Sequence, residues 1–108
     1  FSIFEKIPSM IWEDDILYAE SMKHQLLLVT MDGNYTVRKS LSELEEELPT
    51  NQFTRVHKSF IVNLRYVKCI KDNQITLRGC EFSVPVGRAY KKNLMMMIAR
   101  YEERRMVL

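Results

Sequence analysis

The 108 residues predict a mostly-β, antiparallel fold, and three observations carry that expectation. Short runs rich in β-branched, aliphatic and aromatic residues recur at close spacing. Tight polar turns separate them, among them Asp32-Gly33-Asn34, Asp72-Asn73 and Arg78-Gly79-Cys80. Only two stretches have a helical period, Ser40–Leu48 and Arg88 to about Arg104.

In chain order, Lys6 to Ile11 is interrupted by Pro8 and reads as an edge strand at best. Glu13-Asp14-Asp15 is an acidic turn, Ile16 to Glu20 a strand, and Ser21 to His24 a polar connection. Gln25 to Met31, QLLLVTM, has apolar residues on both faces and should be covered on both sides. Tyr35 to Lys39 is its return strand. Ser40 and Glu43 form a capping box, in which the Ser40 hydroxyl accepts from the N3 amide while Glu43 reaches back. The helix that follows puts Leu41, Leu44 and Leu48 on one face and Glu45, Glu46 and Glu47 outward, and Pro49 ends it. Phosphates would repel so acidic a helix, so its expected role is to plug the core.

Phe53 to Asn63, FTRVHKSFIVN, is the stretch around which the rest is arranged. Its apolar residues ask for a strand with one buried face, while Arg55, His57 and Lys58 crowd near Ser59, where the extended pattern loses phase. A strand that stops there delivers cations to an exposed tip on a rigid scaffold, as a reader of phosphates and base edges requires. Asn63-Leu64-Arg65 is a tight turn, followed by strands over Tyr66–Lys71, Gln74–Leu77 and Glu81–Val86. Gly87 is an N-cap candidate for the last helix, whose apolar stripe is Tyr90, Leu94, Met97, Ile98 and Tyr101.

A net charge of +2 hides an uneven distribution. Residues 1–50 have four Lys/Arg against ten Asp/Glu, whereas residues 51–108 have twelve against four. Such asymmetry points to one surface aimed at a polyanion and one kept clear of it. The length suits one domain, residues 1–108. No apolar run approaches the roughly 20 residues that span a bilayer. FSIFEKIPSM lacks the features of a secretion signal and the initiating Met, so the chain reads as a fragment of something longer. Cys69 and Cys80 lack metal-ligand spacing, which suggests a reducing cytoplasm. Two ordinary buried thiols or a redox-responsive pair both fit them. No nucleophile elbow, phosphate loop, H-E-x-x-H or C-x-x-C motif is present, so no enzymatic activity and no cofactor are expected.

FTRVHKSFIVNLRYV, a short hairpin and FSVPVGRAYKKNL together resemble the LytTR family of DNA-binding domains. DDILYAES and LVTMDGNYTVRKSLSELEEELP agree with it in order, so the resemblance covers nearly all of residues 10–94. It implies an elongated fold of stacked antiparallel β-sheets. It also implies sequence-specific binding of double-stranded DNA, on direct repeats, by loops in the major groove. The setting it implies is the output domain of a bacterial two-component response regulator, behind an N-terminal receiver domain.

By position, the resemblance gives DNA contacts to His24 or Gln25, to Lys58 and to Arg88. Lys58 stands where the family often has Arg, and Gly87 where it often has Ser. A Lys is a point charge, so Lys58 suits a phosphate better than a guanine edge. Arg88 begins a helix, where the dipole disfavours a cation, and that misfit points to function. Arg55, Arg65, Lys91 and Lys92 are candidates for added phosphate contacts. His57 and Asn63 read as structural, and Tyr90, Leu94 and Met95 to Met97 as core or helix packing. The competing function is a protein-interaction module using the acidic helix or the Met-rich helix. Self-association along Leu94, Met97 and Tyr101 is a third reading.

Overall fold

A strand that is apolar on both faces needs a cover on each, and the chain supplies two. The computed structural model describes residues 2–4 and 7–105, and the side chains of residues 11–103. Five antiparallel strands form the central sheet in the order β5-β4-β3-β7-β6. They are β3 (Ile16–Met22), β4 (Gln25–Thr30), β5 (Gly33–Val37), β6 (Phe53–His57) and β7 (Phe60–Asn63). A separate hairpin precedes them, β1 (Ser2–Phe4) on β2 (Ile7–Ile11). The strand expected over Lys6–Ile11 therefore has a partner that its sequence did not announce, and Lys6 lies outside the described residues.

One face of the sheet carries α1 (Leu41–Glu47). Leu41, Leu44 and Leu48 pack there against Ile16, Ala19, Leu26, Leu28, Phe53 and Ile61. The capping box forms as expected: Glu43 N–H donates to Ser40 Oγ at 3.1 Å, and Ser40 N–H donates to Glu43 Oε1 at 3.0 Å. Such a cap contributes about 1 kcal/mol.

The opposite face is covered by a three-stranded sheet of order β10-β9-β8. Its strands are β8 (Val67–Lys71), β9 (Gln74–Leu77) and β10 (Val84–Pro85). Ile75, Leu77, Val84 and Val86 meet Leu17, Tyr18, Val56, Phe60 and Val62 in this second core, and Leu94 of α2 (Lys91–Arg105) closes it. The two cores sort the side chains of β7 in strict alternation, with Phe60 and Val62 on one face and Ile61 on the other.

Several boundaries differ from expectation. The strand expected over Glu81–Val86 shrinks to Val84–Pro85. Phe82 instead turns its ring onto Tyr18 and Phe60, with centroids 5.6 and 5.9 Å away. The last helix starts with a 3-10 turn at Arg88–Tyr90 before becoming α-helical at Lys91. Met31 falls outside β4, half-exposed. Met95 and Met96, expected in the packing, are exposed, because the 3.6-residue period turns them away from Leu94. The stripe offered for self-association is occupied within the chain: Leu94 is fully buried, and Met97, Ile98 and Tyr101 pack on the same core.

Candidate nucleic-acid interface

Three loops converge on one end of the central sheet. The first joins β3 to β4 in two residues, Lys23 and His24, since Met22 stands opposite Gln25. His24 takes a left-handed backbone, φ 65°, as a tight hairpin demands of a residue in that place. The second joins β6 to β7 through Lys58 and Ser59, since His57 stands opposite Phe60. The Ser21 amide donates to the Ser59 carbonyl at 2.8 Å and locks the two turns side by side. With strands about 4.8 Å apart, the two turn centres lie roughly 10 Å from each other.

The third loop arrives from the other sheet. β6 is an outer strand, and on its free edge the Val56 carbonyl accepts from the Gly87 amide at 2.8 Å. A Cβ on Gly87 would stand 3.6 Å from His57 Cα and 3.1 Å from Tyr90 Cδ2, so the segment hugs the strand. That contact puts Arg88 next to the Lys58 turn. The β8–β9 turn is tied in behind it, because the Val86 amide donates to the Asn73 carbonyl at 2.9 Å. From the first turn of α2, Lys91 Nζ donates to Asn73 Oδ1 at 3.2 Å.

The structure thus gathers His24, Lys58 and Arg88, all exposed, with Lys91 on their flank. Gln25 is half-buried as the first residue of β4, whereas His24 stands at the tip. Lys23 is exposed in the same turn, a placement that the polar Ser21–His24 stretch does not disclose until the two-residue turn is known. Arg65 is at the opposite end: the four residues of β7 run away from the Lys58 turn before the chain reaches it, roughly 13 Å at 3.3 Å per residue. There its guanidinium lies 5.8 Å from the centre of the Tyr66 ring and 3.9 Å from Asp14 Oδ2.

Arg55 points at the tip from within. Its Nη2 donates to the Lys58 carbonyl at 2.6 Å, its Nε to the His57 carbonyl at 3.3 Å, and its Nη1 to Glu45 Oε1 at 3.2 Å. His57 is structural as expected: Nδ1 accepts from the Ser59 amide at 3.1 Å, and the ring stands edge-on to Phe60 with centroids 5.5 Å apart. Asn63 is fully buried and bonds backbone on two elements.

Both cysteines are unpaired. Burial pushes the Cys80 thiol up, partly offset by its hydrogen bond with the Phe82 backbone, which makes it a poor nucleophile. Burial also raises Tyr18, helped by the charges of Cys80 and Glu20. Among the described residues, no group of three or more His, Cys, Asp or Glu could hold a metal ion, and no helix is long and apolar enough to cross a membrane.

A family model described as the LytTr DNA-binding domain matches residues 9–99. The chain is 37% identical over 90 residues to the sensory transduction protein LytT of Bacillus subtilis strain 168, covering 78% of this chain and 36% of that protein. It is 31% identical to the transcriptional regulatory protein YpdB of Escherichia coli K12, covering 79% of this chain and 37% of that one. The chain therefore spans about a third of the length of these relatives. A solved LytTr DNA-binding domain, from a putative methyl-accepting/DNA response regulator of Bacillus cereus, superposes with a TM-score of 0.71 at 27% identity. That likeness covers 79% of this chain and 82% of the solved one. Loop-bearing sheets, a matching family model and related sequences agree, and the chain belongs to the LytTR family of DNA-binding domains.

Proposed function

We propose that this chain binds duplex DNA in a sequence-specific manner by lowering the His24, Lys58 and Arg88 tips into the major groove. The reading is supported above all by the two backbone hydrogen bonds that hold the His24, Lys58 and Arg88 tips at one end, Ser21 to Ser59 and Gly87 to Val56. The spacing suits the target: turn centres roughly 10 Å apart match a groove about 12 Å wide. Arg88 supplies the planar fork that reads a guanine edge. Lys58 supplies a point charge to a phosphate, and Lys91 another on the flank. His24 takes the loop contact in preference to Gln25, because it stands at the tip. Arg65, at the far end of β7, has no place on the same DNA face.

In this reading the chain is the output domain of a bacterial transcriptional response regulator working in the cytoplasm. A receiver domain lies upstream, and direct repeats are the natural target for copies arranged head to tail. The greater length of the relatives and the names sensory transduction protein and transcriptional regulatory protein support the placement.

Selection of bound duplexes from a random pool tests the function, followed by mobility shifts at low and moderate salt. A recovered motif with salt-sensitive binding is expected, with a slope of about −0.9 in log K against log salt for each phosphate neutralised. No enrichment, or binding indifferent to salt, would remove the reading.

A further inference from the structure

We infer that Arg55, held by Glu45, is a positioning residue that fixes the Lys58 turn and does not touch DNA. The inference rests on the DNA-binding reading above and gives a different role to one of its basic residues. Arg55 lies three residues before Lys58, and from sequence it is a candidate for an added phosphate contact. Its surroundings say otherwise. The side chain is only 20% exposed, and three of its nitrogens already face protein acceptors on the inner side of the turn.

The local backbone explains the need. The register of β6 against β7 shifts between Arg55 and His57, so Val56 is an extra residue in the ladder. A bulge twists and re-aims the strand end, and it disrupts local pairing. The Val56 carbonyl is then free to accept from Gly87. The two carbonyls at the end of the strand, those of His57 and Lys58, both accept from Arg55. On the other side, the Ser59 amide is held by His57 Nδ1 and the Ser59 carbonyl by Ser21. The turn is pinned from within, and the Lys58 side chain is the part of it left to face outward.

Only a planar guanidinium can do this. Its donors are spread in a fixed fork, so one group reaches two successive carbonyls while a third edge meets a carboxylate. Glu45, on the outward face of α1, is that carboxylate, 3.2 Å away. The acidic helix thereby does more than plug the core, because it orients the arginine that orients the tip. The ion pair adds little stability by itself, since Glu45 is well exposed. Its contribution is to the direction of the fork.

The test uses the 108-residue chain, a duplex that the wild-type chain selects from a random pool, and a mixed-sequence duplex, each titrated across a salt series. Arg55→Gln should weaken the selected duplex about five- to tenfold with the wild-type salt slope retained, whereas Lys58→Ala should flatten that slope by about 0.9. In the Lys58→Ala background, Arg55→Gln should cost less than about twofold, because the two act through one contact. Arg55→Lys should rescue only in part. Glu45→Gln, which leaves the core intact, should give about a two- to threefold loss and faster amide exchange at residues 57–59. Additive losses, a slope flattened by Arg55→Gln alone, or turn amides unchanged in Glu45→Gln would overturn the inference. Wild-type binding by both Lys58→Ala and Arg88→Ala would instead remove the DNA-binding face itself.

Discussion

Asn63 is a buried side chain that ties separate elements together. Its Nδ2 donates to the Ile16 carbonyl at 2.8 Å, and its Oδ1 accepts from the Arg65 amide at 3.0 Å and from Gln52 Nε2 at 3.4 Å. One buried amide thereby joins the start of β3, the end of β7 and the loop after α1. Asn63→Ala leaves buried groups without partners, so urea unfolding should record a loss of about 1–3 kcal/mol with an unchanged m-value. Asn63→Asp should be worse, because a carboxylate cannot donate to the Ile16 carbonyl and would bury a charge. Arg88 sits at the other extreme, exposed and with no part in the core. Arg88→Ala should leave the unfolding midpoint in place and cost about 1–3 kcal/mol on the selected duplex, relaxing preference at one base position. Equal losses on selected and random duplexes would make Arg88 a phosphate contact.

At the scale of elements, α1 has a titratable start. The Ser40 amide, and after it the Ser40 hydroxyl, hold Glu43 below the usual carboxylate range, with Lys39 assisting and slight desolvation opposing. A depressed folded value means that the stabilisation is present above the unfolded value of about 4.3 and is lost as pH falls through the folded one. Amide exchange in Leu41–Glu47 should therefore accelerate in acid below about pH 4, and Glu43→Gln should abolish that dependence. This helix was legible in full, because its cap, its leucine spacing and Pro49 are all local signals. So was the β8–β9 hairpin, whose turn is Asp72-Asn73. The β4–β5 hairpin was expected, but its turn is Met31-Asp32, and Gly33 and Asn34 already belong to β5, so the return strand ends at Val37 and not at Lys39. The Glu81–Val86 strand was misjudged in extent, since alternation cannot tell a strand from a chain whose Phe82 is drawn onto a neighbouring aromatic pair. The β6 bulge was equally hidden. The broken phase at Ser59 marked a tip, but only the paired register reveals that Val56 is supernumerary and that Arg55 turns inward. That Arg65 lies at the other end of β7 was hidden for a related reason: closeness in sequence to Lys58 says nothing about which end of a strand a residue occupies.

For the whole molecule, the charge asymmetry gains a geometric meaning. The basic half of the sequence supplies Lys58, Arg88 and Lys91 at one end, while the acidic half supplies α1 on a sheet face. Association with mixed-sequence duplex should fall steeply with salt, and Lys91→Ala should reduce the slope by about 0.9 with little change in sequence preference. Retention of the full slope would take Lys91 off the phosphate surface.

The hydrogen bond from Gly87 to the outer strand also bears on solubility. An uncovered outer strand is a template on which a second molecule can lay its own strand, and the 85–88 segment occupies that rim. Gly87 has φ −75°, which a proline tolerates, so Gly87→Pro would delete the donor and push a ring carbon toward the Val56 carbonyl. Light scattering on that variant should reveal concentration-dependent polymerisation where the parent stays dispersed. The strap that brings Arg88 to its place would then also be what keeps neighbouring molecules from zipping together.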